Sequence, residues 1–363
     1  MKRLIFGSLL LLVIALLLPM LFIPAAGDGA PGGNGPALES GPPGAPSPAG
    51  DPSIVGRGAA PAAPEGLRPA GTPGPSPTAA SAGEMKDADY HFTALIQGVL
   101  TETTLADYLP GVLAAEMPAS FAPEALKAQA VAARTFILYR AGQQNSRHPE
   151  AAVCDDSTCC TAYTNLDDLR GKWGADWAAN REKIIDAVQS TDGQYLVFDG
   201  APILAAFHAS SAGETEDSGA VWGALPYLIP VSSPETAADV PNYVSIAEVS
   251  ANDFQSTVKS AYPGADLSGA PETWLGEAVP DASGRTGSVK IGGVSIEGTA
   301  LRTMFGLRST AFTLEYTGGH FLFTVTGSGH GLGLSQYGAN VMAEGGADFR
   351  EILAHYYPGT EMV

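Results

Sequence analysis

Positive charge is in short supply. Lysine and arginine number 19 against 38 aspartates and glutamates in 363 residues, which leaves a formal charge of −19. A surface so poor in cations keeps the chain soluble and argues against nucleic acid or an anionic membrane surface as its partner. Cysteine is scarcer still: there are three, all between residues 154 and 160. An odd number cannot all pair, so the chain is no disulfide-stapled scaffold. Three further signatures are missing. There is no internal repeat and no G-x-S-x-G nucleophile elbow, and the glycine-rich GSGHGLGLS lacks the lysine and spacing of a phosphate loop. Nucleotide binding is thereby set aside.

Large apolar side chains are nearly absent between residues 25 and 86, where nearly half the positions are proline or glycine and most of the rest alanine and serine. Such a segment cannot bury enough surface to offset its chain entropy, and it reads as a disordered, proline-stiffened tether. Before it, residues 1–24 carry Lys2 and Arg3 ahead of an apolar run from Leu4 to about Ile23. That is close to the roughly 20 residues of a membrane-spanning helix, with flanking charge that keeps the N-terminus cytoplasmic and exports the remainder. A cleaved signal peptide is the rival reading, favoured by the small residues Ala25, Ala26 and Gly27 but opposed by the length of the run.

Residues 87–363 read as globular. In TLADYLPGVLAAEM, Leu105, Tyr108, Leu109, Val112 and Leu113 recur at helical spacing, with Thr104 and Asp107 placed to cap the start and Pro110 to weaken the turn. Glu116 continues this apolar stripe, where an ionised carboxylate is disfavoured. It reads either as a general acid with a raised pKa or as a helix-end glutamate paired with an arginine such as Arg134. PEALKAQAVAARTFILYR follows as a second helix opened by Pro123. QYLVF and APILAAF, joined by Asp199-Gly200, read as a hairpin. The C-terminal part runs strand (FLFTVT), glycine-rich loop around His330, helix and final helix. Without a regular βαβ alternation the class is α+β: helices and short antiparallel strands in two lobes about a cleft, after the N-terminal transmembrane helix.

The stretch RHPEAAVCDDSTCC places His148, Cys154, Cys159 and Cys160 within thirteen residues. Zinc takes four such ligands tetrahedrally, although adjacent cysteines reach one ion only through a sharp turn. A disulfide from Cys154 and reduced buried thiols are the alternatives. His208 with Ser210 and Ser211 resembles a base beside a nucleophile, but polar lining of a cleft suits them better.

Taken together and in order, GVLAAEMP, EALKAQAVAARTF, HASSAGET, VWG, LPYL, GLRST, GHGLGLSQYGA and ILAHYYPGT resemble the stage II sporulation protein D family, over roughly residues 90–360. The resemblance implies a lytic transglycosylase of peptidoglycan, which cleaves the β-1,4 bond between N-acetylmuramic acid and N-acetylglucosamine without water and leaves a 1,6-anhydro end. It places the catalytic glutamate on Glu116 and a structural zinc on His148, Cys154, Cys159 and Cys160. Cys159 stands where the family usually has histidine, which keeps a ligand and adds one negative charge. His208, Ser210, Ser211, His330, Gln336 and Tyr337 are then expected to line the sugar cleft. The resemblance further implies septal wall remodelling and engulfment during sporulation. The expected partners are glycan strands stripped of peptide by a cell-wall amidase, that amidase, and a further membrane protein. Related domains act instead as amidase enhancers, binding modules that cut no glycan.

Overall fold

The computed structural model describes residues 85–363. The apolar run and the tether expected at residues 1–24 and 25–84 lie outside the described residues. No helix among those described is long and apolar enough to cross a membrane.

The chain begins with an antiparallel hairpin, β1 (His91–Ile96) and β2 (Val99–Thr104), and turns directly into helix α1 (Leu105–Glu116). Thr104 caps α1 by accepting from the Asp107 amide, as its spacing predicts. Pro110 lies inside α1 without ending it. Helix α2 (Pro123–Ala141) follows, with proline in its first turn. Ala125, Ala128, Ala130, Ala132 and Ala133 have no exposed surface, because α2 packs against α1 and three later helices and only small side chains admit so many neighbours.

Next come β3 (Val153–Cys154), α3 (Trp177–Gln189), β4 (Leu196–Phe198) and β5 (Ala201–Pro202). The β4–β5 turn has positive φ at Asp199 (51°) and Gly200 (77°), as a two-residue Asp-Gly hairpin requires. The apolar run after Pro202 leaves that hairpin and forms a separate strand, β6 (Phe207–His208). A second region holds β7 (Val244–Ser250), α4 (Ala251–Ala261), β8 (Leu275–Pro280), β9 (Thr286–Ile291), β10 (Val294–Glu297), α5 (Gly298–Phe305), β11 (Phe312–Thr317) and β12 (His320–Thr326). The chain then returns through β13 (Leu334–Ser335), α6 (Gln336–Glu344), α7 (Phe349–Tyr356) and β14 (Glu361–Met362).

Two hydrophobic clusters result. One gathers α1, α2, α3, α6 and α7 about Leu109, Leu126, Val131 and Tyr357. The other packs Phe254, Trp274, Ile291, Phe321 and Phe323 between α4 and the sheets β11-β12-β7 and β10-β9-β8. The mixed α+β class holds, but the pairing is not wholly antiparallel: β1 with β3 and β6 with β13 run parallel. Both parallel pairs are two residues long and join distant segments, so neither announces itself by local periodicity.

Among the described residues Arg134 is the most thoroughly buried cation, and it binds Asp87 rather than Glu116. Its Nε and Nη2 donate to the two Asp87 oxygens at 2.7 and 2.6 Å, and Nη1 donates to the Gln194 carbonyl at 2.9 Å. The side chains of this pair are 0% and 3% exposed, so removing one partner strands a buried charge. Asp87→Ala is expected to lower stability by about 3–5 kcal/mol, read as a shift of the urea midpoint at an unchanged slope.

Candidate functional site

Glu116 is the last residue of α1, and both of its carboxylate oxygens are engaged. Oε1 accepts the Ala162 amide at 2.8 Å and Oε2 accepts Nε2 of Gln336 at 3.3 Å. Burial pushes its pKa up, and these two hydrogen bonds oppose the shift without cancelling it. The helix C-terminus, the negative end of the macrodipole, acts in the same direction as burial. None of the groups that bond Glu116 or shift it is a carboxylate. The site therefore presents one acid.

Two chain segments hold that acid. The first is the 142–165 loop, which docks on α1 where Gly111 leaves room: a Cβ there would run into the ring of Tyr163. Tyr163 stacks on Tyr108 at 4.7 Å, and the Thr164 amide donates to the Gly111 carbonyl at 3.2 Å. The second is the glycine loop, whose backbone turns with positive φ at Gly329, Gly331 and Gly333 before α6 presents Gln336 to Glu116.

His148, Cys154, Cys159 and Cys160 converge within the docked loop. Their ligand atoms all lie within 4.8 Å of one another, with Cys160 Sγ at 3.2 Å from His148 Nε2 and 3.9 Å from Cys159 Sγ. The sharp turn demanded by adjacent cysteines is present: both of their amides donate to the Asp156 carbonyl, at 2.9 and 2.8 Å. His148 Nδ1 meets the Ala151 carbonyl at 2.9 Å, leaving the Nε2 lone pair turned to the cluster, where Asn145 Nδ2 and Cys160 Sγ approach it. The Cys154 thiol is pushed up, first because it donates to Cys160 and then by burial, while the same bond pulls Cys160 down. Sulfurs this crowded cannot all ionise unless a cation sits among them. The donor set and its spacing can hold a metal ion, and all three cysteines are unpaired thiols.

The remaining candidates fall into two groups. Gln336 touches Glu116 directly, and Tyr337 packs edge-on against Phe121 at 4.9 Å. His330 lies between Trp222 and His208, with ring centroids at 5.0 and 5.7 Å. Its Nδ1 accepts the Leu332 amide. Burial pushes its pKa down to about 3, helped by the positive charges of Arg302 and Arg285. His208 is likewise held well below its ordinary value by burial, and its Nε2 lies 2.7 Å from the Ser211 hydroxyl. Both rings stay neutral at ordinary pH and serve as polar dipoles, not as proton donors.

Ser210 and Ser211 are buried, with exposures of 2% and 0%. They stand behind the surface. Ser210 exchanges backbone hydrogen bonds with Ser328 at 3.0 and 2.8 Å, pinning the glycine loop. Behind Ser211 lies a residue that sequence reasoning passed over. Glu235 accepts the Ser211 amide and the Ser233 hydroxyl, each at 2.6 Å, and also the Ser335 hydroxyl. Little local marks it, since two of its three partners, Ser211 and Ser335, come from 24 and 100 residues away.

A larger cavity of about 520 Å³ lies elsewhere, lined by Asp87, Asp107, Tyr163 and Arg181 among others. None of the candidate residues lines it.

Comparison with known proteins returns the stage II sporulation protein family model, SpoIID, over residues 97–198, a span that contains Glu116 and all four ligand candidates. Stage II sporulation protein D of Bacillus amyloliquefaciens is 38% identical over 261 residues, 71% of this chain and 74% of that protein. The protein of the same name in Bacillus subtilis (strain 168) is 38% identical over 262 residues, again 71% and 74%. A protein named amidase enhancer from Bacillus subtilis (strain 168) is 30% identical over 305 residues, 70% of this chain but 40% of that longer protein. With 38% identity to the two Bacillus sporulation proteins spread over more than two thirds of this chain and of theirs, the chain belongs to the stage II sporulation protein D family.

Proposed function

We propose that this protein is a lytic transglycosylase acting on peptide-stripped peptidoglycan during sporulation. The observation that carries the reading is Glu116: a single carboxyl group, desolvated and oriented at both oxygens. Hydrolytic glycosidases generally use two carboxylates, one as acid and the other as nucleophile or base. A lytic transglycosylase needs one. Glu116 in its acid form gives its proton to the glycosidic oxygen as the bond to the muramyl anomeric carbon breaks. The sugar's own C6 hydroxyl then attacks that carbon, and the carboxylate just formed accepts the hydroxyl proton. The bond broken is replaced by the 1,6-anhydro ether, and the glutamate returns to its starting state. Attack from within the same sugar draws on the effective concentration of a held nucleophile.

In this reading Ala162 and Gln336 aim the carboxyl group, His330 and Tyr337 line the sugar cleft, and His208, Ser210 and Ser211 brace its wall. The metal would be zinc, held by His148, Cys154, Cys159 and Cys160. Four protein donors complete a tetrahedron, for which donor separations of roughly 3.5–4 Å are expected. The ion would supply folding energy to the loop that carries Ala162. The apolar run at residues 4–23 would anchor the protein with its catalytic part outside the cytoplasm, and residues 25–84 would act as the tether. A cell-wall amidase and a further membrane protein are the proposed partners. The similarity to a protein named amidase enhancer supports the first of these. It also supports a second reading, a module that binds glycan and stimulates an amidase without cutting.

Mass spectrometry of peptide-free glycan strands incubated with the full-length protein tests the choice. Anhydro-muramyl ends that disappear with Glu116→Gln support the enzyme. Uncut strands from a folded, metal-loaded protein would leave the binding module.

A further inference from the structure

A small cavity of about 50 Å³ is lined by Phe136, Arg140, Cys159, Cys160, Thr161, Trp222 and His330 among others. Thr161 adjoins Ala162, the residue that bonds Glu116. His330 belongs to the glycine loop that leads into Gln336. The cavity wall is therefore one residue along the chain from one group that bonds the acid and six residues from the other. Its walls are partly aromatic and carry the thiols of Cys159 and Cys160, the second of which is pulled down by its hydrogen bond with Cys154 and, in smaller part, by the Arg140 charge, and two of its polar groups lack a partner. Arg140 is only 8% exposed and Thr161 1%. Arg140 Nε and Thr161 Oγ1 are buried, and neither has a hydrogen-bond partner among the described residues.

A buried guanidinium edge without an acceptor is disfavoured. Its planar fork is matched best by a carboxylate. The volume admits roughly three or four waters, which is room for a carboxylate and little more. Peptide-stripped glycan offers that group. When an amidase hydrolyses the amide that joins the stem peptide to the muramyl lactyl ether, water is consumed, the peptide leaves as an amine, and the lactyl group keeps a free carboxylate. An unstripped strand has a neutral amide and a bulky peptide at the same position.

Resting on the transglycosylase reading above, we propose that Arg140 and Thr161 form a subsite for the free lactyl carboxylate, and that this subsite selects stripped glycan over strands that still carry peptide. It explains how a chain with a charge of −19 accepts an anionic polymer: one buried cation meets one defined anion. Arg140 is a specificity residue, with no part in the proton transfers assigned to Glu116.

The test is a binding measurement, so it does not depend on turnover. Full-length Glu116→Gln protein is titrated with a tetrasaccharide of two GlcNAc-MurNAc repeats whose lactyl carboxylates are free, and with the same sugar whose carboxylates are converted to N-methylamides. The free acid is expected to bind about 10- to 100-fold more tightly. Adding Arg140→Gln is expected to abolish that preference, leaving the N-methylamide affinity and the metal content unchanged, and Arg140→Lys to restore part of it. Equal binding of the two sugars by the Glu116→Gln protein overturns the subsite without recourse to any change at Arg140. Metal lost together with affinity on Arg140→Gln also overturns it, and makes Arg140 the counter-charge of the cysteine cluster. A wild-type protein that discriminates the two sugars but releases no anhydro ends keeps the subsite and removes the transglycosylase reading. One that cuts both forms equally does the reverse.

Discussion

Glu116→Gln is expected to lower the rate of anhydro-end formation by about 10²–10⁴-fold, the usual contribution of a positioned general acid, while the protein remains folded. Glutamine keeps the shape of the side chain and can still accept the Ala162 amide, and its own NH2 is accommodated when the Gln336 amide turns its oxygen toward it, so the geometry survives and only the transferable proton is lost. Stability supplies the control. The folded state raises the pKa of Glu116, so between its unfolded and folded pKa values the native state holds more protons than the unfolded state. Stability therefore falls as pH rises through that window and stays reduced above it. Glutamine has no such ionisation, and at pH 7 the variant is expected to unfold at an equal or higher denaturant concentration than the native protein. Loss of activity with reduced stability would point instead to a structural role. The same shift sets the pH profile. The acid must be protonated to act, so the rate declines with rising pH, with a midpoint above the ordinary glutamate value of 4.5.

The second large effect is expected at the cysteine cluster. Cys160→Ala removes a ligand atom that lies 3.2 Å from His148 Nε2 and 3.9 Å from Cys159 Sγ, and it should abolish stoichiometric metal binding. Losing a metal ligand set is among the few single changes that produce a large destabilisation. At about 3–5 kcal/mol, the thermal midpoint of a domain of this size falls by on the order of 10 °C. Activity should fall with it, although the metal takes no part in proton transfer. The reason is mechanical: the loop that supplies the Ala162 amide to Glu116 also carries Cys159 and Cys160. Chelation of the native protein should reproduce the loss, and readdition of zinc should reverse it. Cys159→His is the discriminating variant. Histidine is an equivalent ligand, so metal content and thermal midpoint are expected to stay close to native. Metal analysis beside a melting curve checks all of these outcomes. An unchanged midpoint for Cys160→Ala would remove the structural role from the cluster.

Much of this molecule is legible one segment at a time. The Thr104 cap, the proline-opened helix at Pro123, the Asp199-Gly200 hairpin and the two C-terminal helices each depend on interactions within a few residues, and local chemistry is enough to specify them. The parallel pairings of β1 with β3 and β6 with β13 are different. They join short segments across long stretches of chain, and their energy depends on what the rest of the fold places beside them. Arg134 shows the same limit at a single side chain. As a helical arginine downstream of Glu116 it is a natural partner for that carboxylate, yet it is claimed by Asp87, 47 residues earlier. That leaves Glu116 free of a cationic partner and allows burial to raise its pKa.

What the sequence determined by itself was the inventory of chemistry: one glutamate on an apolar helical stripe, four soft ligands in thirteen residues, a glycine loop around His330, and a scarcity of cations that rules out a polyanion held by broad surface charge. What the tertiary structure decided was which of these groups meet and which are shielded from water. It brought Ala162 and Gln336 onto opposite oxygens of Glu116, across 46 and 220 residues. It gathered the sulfurs to within bonding reach of one ion, set Glu235 behind the serines, and left Arg140 buried with an unused donor. The physical reason is that side-chain identity is local, whereas desolvation and hydrogen-bond partnership are properties of the packed chain and arise only when distant segments close over one another.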